Sequence, residues 1–272
     1  MELNKFVFTI IFLLLQFFKV FATSQIPDIL IYNGDTLYTY SNPLEQLYIN
    51  DSIRPKFFGD KEDCMPTDCW RGYQAEWTII NNQLFLTGIY SCRFEDDKTK
   101  ADLKQFFGGK YINGKVKADW VNRNLIASGG KFLFYFYMDQ KSIYETDIEF
   151  QFREGLLIKS TKYDNSKSHL SEFRIDQMKL VKFIYSNINW NTLPNLYQKK
   201  ITVFVRFSSN ENGIIDSVNI LRSDDNNFNN EAIRVIKSIP EWDVIYGLGK
   251  HERKPFILPI AFSEENRKRY NK

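Results

Sequence analysis

Towards the C-terminus of this chain two apolar alternations bracket one helical stripe, and that order restricts the fold more than any other feature of the sequence. Ile201, Val203, Val205 and Phe207 recur at every second position, the period that places them on one face of a strand. Asn210 to Gly213 reads as a turn, and Ile214 to Leu221 as the returning strand. Asn229 or Asn230 can cap a helix in which Ala232, Val235, Ile236 and Ile239 fall at i, i+3, i+4 and i+7. Pro240 ends it, because proline lacks an amide hydrogen and disfavours helical geometry in the residue before it. After a loop through Gly249, Phe256, Leu258, Ile260 and Phe262 give a third strand its apolar face. Pro259 assigns that strand to an edge, where the missing donor costs no ladder bond. The result is a ββαβ unit of about 80 residues, small but within the range that folds alone.

Residues 26–165 read as a mostly antiparallel β domain, so the expected fold class is α+β. Aromatic residues make up 16% of the chain, a bias that favours strands. Ala75 to Ile80, Asn81-Asn82 and Gln83 to Gly88 spell a hairpin, since asparagine tolerates the positive φ of a tight primed turn. Asp147 to Arg153, Glu154-Gly155 and Leu156 to Thr161 spell a second, with Ile148, Phe150 and Phe152 on the buried face. Phe132 to Tyr137 is apolar on both faces and suits a central strand. Asp102 to Phe107 is the short helical segment, stopped by Gly108-Gly109. Residues 166–189 read as a linker carrying a helix over Leu170–Tyr185, capped by Ser171, with His169 as a solvated loop histidine. Residues 190–264 hold the ββαβ unit, and 265–272 form a polar tail.

The chain opens on an apolar run from Phe6 to Phe18, with Lys5 before it and Lys19 after. At about 1.5 Å per helical residue the run reaches only about 20 Å, short of the roughly 30 Å hydrocarbon core. Val20-Phe21-Ala22 offers small residues for cleavage, so residues 1–22 are expected to be a signal peptide. A retained anchor facing the periplasm is the alternative. Export makes the cysteines candidates for a bridge: Cys64, Cys69 and Cys92 allow one disulfide at most, and Cys64–Cys69 is favoured by proximity.

Little in the sequence speaks for catalysis or a cofactor. With a net charge of +3 over 272 residues there is no basic footprint for a nucleic-acid partner. Gly109 to Lys115 imitates a phosphate-binding loop, but Val116 stands where a magnesium-holding Ser or Thr belongs. Three thiols without a nearby histidine fall short of a zinc site. Nucleophilic catalysis would need His169 or His251 brought beside a nucleophile, for which nothing in the sequence argues, and the pairs Asp96-Asp97 and Asp224-Asp225 sit in polar loops. No catalytic, metal or cofactor-binding residue is therefore assigned.

Residues from about Leu193 to Phe262 carry a set of features in a familiar order: Pro194 before the first strand, Gly213 in the turn, and Ile220 to Ser223 closing the second strand. Ala232 in the helix, Pro240, Trp242, Gly249, Pro259 and Phe262 follow. This stretch resembles the C-terminal domain of the TonB family, the periplasmic energy transducers of outer-membrane transport. The resemblance implies binding of a protein partner in the envelope, partly by adding a strand to a sheet edge. A transducer needs a permanent anchor and usually a long proline-rich spacer, whereas no proline occurs between Pro66 and Pro194. The expected function is accordingly a non-enzymatic periplasmic binding or adaptor module without a stable membrane span. A divergent transducer with a retained anchor is the alternative, and an exported enzyme or small-ligand binder using the N-terminal domain is the second.

Overall fold

The computed structural model describes residues 25–48, 54–59, 67–92, 99–136, 141–197 and 199–271. The expected signal peptide and Cys64 lie outside the described residues. The fold is mixed α+β with strands predominating.

The first half is a nine-stranded sheet. Its strands are β1 (Asp28–Tyr32), β2 (Asp35–Thr39), β3 (Tyr73–Ile80), β4 (Gln83–Ser91), β5 (Tyr111–Ile112), β6 (Lys115–Lys117), β7 (Asn124–Phe136), β8 (Lys141–Arg153) and β9 (Leu156–Asp164). The order is β3-β1-β2-β7-β8-β9-β4-β6-β5, and β4 also pairs with β3, so the strands from β3 to β4 close into a ring. All pairings are antiparallel except β1 with β3. Closure is thin between β9 and β4, where Gln83 opposite Leu156 is the single register pair. Amides of Leu84 and Leu157 tie that join to the carbonyls of Gly155 and Asn82 at 2.8 and 2.7 Å.

Alternate residues of each strand turn inward, and Leu30, Leu37, Trp77, Leu84, Leu86, Leu125 and Phe150 fill the ring as one buried cluster. Both expected hairpins are present. Asn81 and Asn82 have φ of 48° and 62°, and Glu154 and Gly155 have 48° and 69°, which matches the strand twist. The imitation phosphate loop is two turns around β5. Phe132 to Phe136 does not run in the middle of the sheet. β2 meets β7 only at Ser128 and Ala127, so beyond Gly130 the β7–β8 hairpin is an arm with one neighbour, and Phe132 is half exposed. Apolarity on both faces there serves contacts outside the barrel.

The second half is a three-stranded sheet in the order β11-β10-β14, from β10 (Ile201–Ser209), β11 (Ile215–Ser223) and β14 (Phe256–Phe262). The three tail strands thus share one sheet. A short α1 (Leu103–Phe107) belongs to the barrel half, while α4 (Asn229–Lys237) lies across the tail sheet. Ala232, Val235 and Ile236 pack there with Val203, Val205, Phe207 and Ile260 in one core. Asp225, not Asn229 or Asn230, starts this helix: its carboxylate accepts from Asn227 N at 2.9 Å and opens a 3-10 turn. The expected helix over 170–185 is two, α2 (Glu172–Ile175) and α3 (Gln177–Ser186). Asp176 divides them because its side chain caps α3 through Lys179 N at 3.0 Å rather than continuing a helix. Leu180, Ile184, Ile188 and Trp190 join the tail core, so the stretch read as a linker is largely part of it. The polar tail forms α5 (Glu264–Tyr270), whose Tyr270 stacks on Tyr185.

Candidate functional site

Two features of the tail can meet a partner: the free edges of its sheet, and the seam by which it docks on the barrel.

The two edges differ chemically. On β14, Ala261 turns its backbone away from β10: its amide donates to Tyr185 Oη at 3.1 Å and its carbonyl accepts from Asn266 Nδ2 at 2.9 Å. The same alternation turns Pro259 outward, where it has no hydrogen to offer. One end of the β14 edge is therefore capped by α3 and α5, and its middle lacks a donor. Across the sheet, Thr202 O accepts from Asp224 N at 3.2 Å, so Thr202, Phe204 and Arg206 bond towards β11. Asn219, opposite Arg206, faces inward, which leaves the amide and carbonyl of Val218 pointing off the sheet. Among the described residues no strand pairs with the outer edge of β11. A β-bulge at Leu221 and a two-toothed Arg253–Asp216 ion pair at 2.5 and 2.7 Å bound the open stretch.

The resemblance residues fall into separate places. Gly213, at φ 75°, receives Trp242 N on its carbonyl at 2.8 Å. Trp242 is buried with its ring 4.9 Å from Phe207 and 5.2 Å from Phe256, a core plug. Ala232 is buried on the sheet-facing side of α4, and Phe262 packs against Phe228 at 5.0 Å and Trp190 at 5.9 Å. Pro240 follows the end of α4, and Pro194 precedes β10, its carbonyl accepting from Arg267 at 2.8 Å. Gly249 belongs to the seam instead.

The seam is built by residues 241–252, which include the small hairpin β12 (Tyr246–Gly247) and β13 (Lys250–His251). Leu248 and Gly249 form its turn at φ 50° and 69°. Their amides reach across to Asp147 Oδ2 on β8 and Asn165 Oδ1 after β9, each at 2.9 Å. Asn165 Nδ2 and Ser128 Oγ complete the partners of the Asp147 carboxylate at 2.8 and 2.6 Å. Tyr246 N donates to Ser168 Oγ, and His169 and Val244 exchange both backbone bonds at 2.8 and 3.0 Å. Ile245 adds an apolar contact with Phe136, Ile143, Leu170 and the end of the β7–β8 arm. The His169 side chain is solvent-exposed, as expected, but its backbone is tied to Val244 and its Nε2 lies 2.7 Å from Glu241 Oε1.

Asp243 is the seam's unusual acid. Its Oδ1 accepts from Ser171 N at 2.9 Å, and Arg174 Nε is 3.6 Å from Oδ2. Burial pushes its pKa up to about 6, against the pull of the Ser171 amide, Arg174 and His169. Sequence reading passed over Asp147, Asn165 and Asp243, since no local pattern pairs residues so far apart. Only the Leu248-Gly249 turn carried a visible signal.

The cysteine pairing differs from the expectation. Cys69 is bonded to Cys92, with Cα atoms 6.0 Å apart, so it is not available to Cys64. Strand register decides this over sequence proximity: β3 and β4 pair Tyr73 with Ser91, which brings the chain just before one and just after the other together. Beside the bridge, buried Asp28 accepts from Ala75 N and Trp77 Nε1, both at 3.1 Å, and faces Arg71 at 3.1 Å. That closed, fully partnered ion pair plugs one end of the barrel.

A shallow depression lined by Glu145, Thr146, Lys162, Tyr163 and Asp164 holds no histidine or cysteine. Among the described residues no group of His, Cys, Asp and Glu is arranged to hold a metal ion, and no helix is long and apolar enough to cross a membrane. Comparison with family models, with curated proteins and with solved structures finds no match to this chain.

Proposed function

We propose that this chain is an exported, non-enzymatic protein of the cell envelope whose tail, a module like the TonB C-terminal domain, grips an extended partner segment by strand addition along β11. In this reading residues 1–22 are removed, residues 26–165 form one domain and residues 190–264 the binding module. The observation that carries it is the inequality of the two sheet edges. A strand added at β14 meets Pro259, which has no donor, and Ala261, whose backbone groups are already taken. One added at β11 meets the open backbone of Val218, bounded by the Leu221 bulge and the Arg253–Asp216 pair. Such recognition draws affinity from main-chain bonds and asks little of the partner's sequence. A filled, apolar barrel interior suits a scaffold better than a ligand-binding cup.

The test uses the full chain with Val218→Pro, which deletes the outward donor on β11, beside Pro259→Val, which restores one on β14. Capture of a specific envelope partner is expected to be lost with Val218→Pro and kept with Pro259→Val, circular dichroism confirming that both fold. Retention by Val218→Pro would exclude β11 as the site. N-terminal sequencing of the mature protein is expected to begin at Thr23; a retained Met1 or Glu2 would point to the anchored transducer instead.

A further inference from the structure

We propose that the outer face of the barrel around the β3–β4 and β8–β9 turns rests on an anionic phospholipid bilayer, through exposed aliphatic side chains set among unpaired cations. The face follows from strand register. Leu84, Leu86, Val116, Phe150 and Phe152 turn into the ring, so the residues between them turn out. Ile80, Gln83, Leu156 and Arg153 lie side by side across β3, β4, β9 and β8. One row on, Phe85 stands beside Lys117 of β6, and Lys115 is paired with Ile112 of β5. Ile80, Leu156 and Ile112 are 36%, 46% and 62% exposed, and each flanks a tight turn. Lys115 Nζ lies 4.5 Å from the centre of the Phe85 ring, and Lys159, opposite Gln151, adds a cation on the same side. At about 3.3 Å per residue, Leu156 stands about 30 Å along β9 from Asn165, so the face is clear of the seam.

Charge decides what such a face can meet. Lys115, Lys117, Arg153 and Lys159, with Lys110 and Arg123 at the margins, form no ion pair among the described residues. The carboxylates on the same strands and turns are Glu76, which accepts from Thr87 Oγ1 at 2.9 Å, and the exposed Asp119 and Glu154. A second copy of the chain would set these cations against one another, so the face does not suit self-pairing. Protein interfaces favour Tyr, Trp and Arg and are poor in lysine, whereas this face offers isoleucine, leucine and lysine. Lysine stems lie along apolar surface while their ammonium groups reach for charge. An anionic bilayer supplies both parts, phosphates for the cations and acyl chains for the aliphatics. Attachment of this kind needs no spanning helix and does not depend on β11 binding anything.

Flotation of the chain, as purified from cells, with lipid vesicles tests the proposal. One set is phosphatidylcholine alone, the other phosphatidylcholine and phosphatidylglycerol in equal parts. Partition is expected onto the anionic vesicles only, and is expected to be lost at about 1 M salt, where the Debye length falls to about 3 Å. Lys115→Gln together with Lys117→Gln should weaken it about 25-fold, since each basic residue near such a surface is worth about 5-fold. Ile112→Ser and Leu156→Ser should each weaken it by about 5-fold or more through lost contact with acyl chains. Arg222→Gln removes an exposed charge from the tail sheet instead and should leave partition unchanged. Circular dichroism checks that every variant folds. Absence of partition, equal partition onto the two kinds of vesicle, or a loss from Arg222→Gln matching that from the lysine pair would each overturn the proposal. So would an envelope protein captured by the parent and lost by Ile112→Ser in a chain that ignores vesicles, which would give the face to a protein partner.

Discussion

Single residues in this protein matter according to how completely their surroundings commit them. Asp28 and Arg71 are both almost fully buried, and each carboxylate oxygen of Asp28 has a donor besides the guanidinium. Burial raises the Asp28 pKa above its ordinary value, and Arg71 is the largest influence opposing that rise. A buried pair of this kind contributes little net energy when intact but is costly to break, because the survivor keeps its charge without a partner. Asp28→Ala is therefore expected to lower unfolding stability by about 3–5 kcal/mol, measured by urea denaturation. Asp28→Asn keeps an acceptor for Ala75 or Trp77 and should cost less. The Arg253–Asp216 pair is geometrically as good yet lies in water, so Arg253→Ala should leave the denaturation midpoint nearly where it was. Were the two substitutions to cost the same, burial would not be what decides these interactions.

At the scale of elements, the β3–β4 hairpin shows how register sets chemistry. Its pairing brings Cys69 and Cys92 together across 23 positions of sequence. Closing a loop of that size removes chain entropy worth about 3 kcal/mol from the unfolded state. Cys92→Ser, or reduction of the parent protein, is expected to lower stability by about that amount; no change on reduction would mean the bridge does not form in solution. The hairpin itself was readable in advance, because Asn81-Asn82 is a local signal flanked by period-two strands. The bridge was not, because nothing local says which strand end a distant cysteine will meet. The same divide runs through the tail. Alternation and a helical stripe gave β10, β11, α4 and β14, and Pro259 gave the edge position of β14. Asp176 and Asp225 were harder, since a capping carboxylate competes with a helix interior only through its own backbone geometry. The capping of the β14 edge by Tyr185 and Asn266 is a tertiary event with no sequence pattern at all. It is nonetheless what distinguishes one sheet edge from the other.

For the whole molecule the question is whether barrel and tail move as one body, and the turn at Leu248-Gly249 carries most of the answer. Leu248 is held at φ 50°, a conformation a leucine rarely adopts, at a cost on the order of 1 kcal/mol. Something must offset that cost, and the two amides it aims at Asp147 and Asn165 are the groups that gain. Gly249 stands at φ 69°, and a Cβ there would meet the Tyr163 side chain at 3.5 Å, an ordinary contact. Gly249→Val puts a β-branched residue into a left-handed backbone that it rarely adopts, so the turn is expected to leave its place rather than distort. The loss should be about 1–3 kcal/mol of docking, and it falls on the seam rather than on either core. Calorimetry of the parent is expected to show one cooperative transition, and Gly249→Val two, the ring and the tail sheet melting apart because each keeps its own buried cluster. A single transition merely shifted downward would mean the two halves share one core in every respect that matters. In that case the bonds at Asp147 and Asn165 would be decoration on an interface held by Ile245, Phe136 and Ile143 alone.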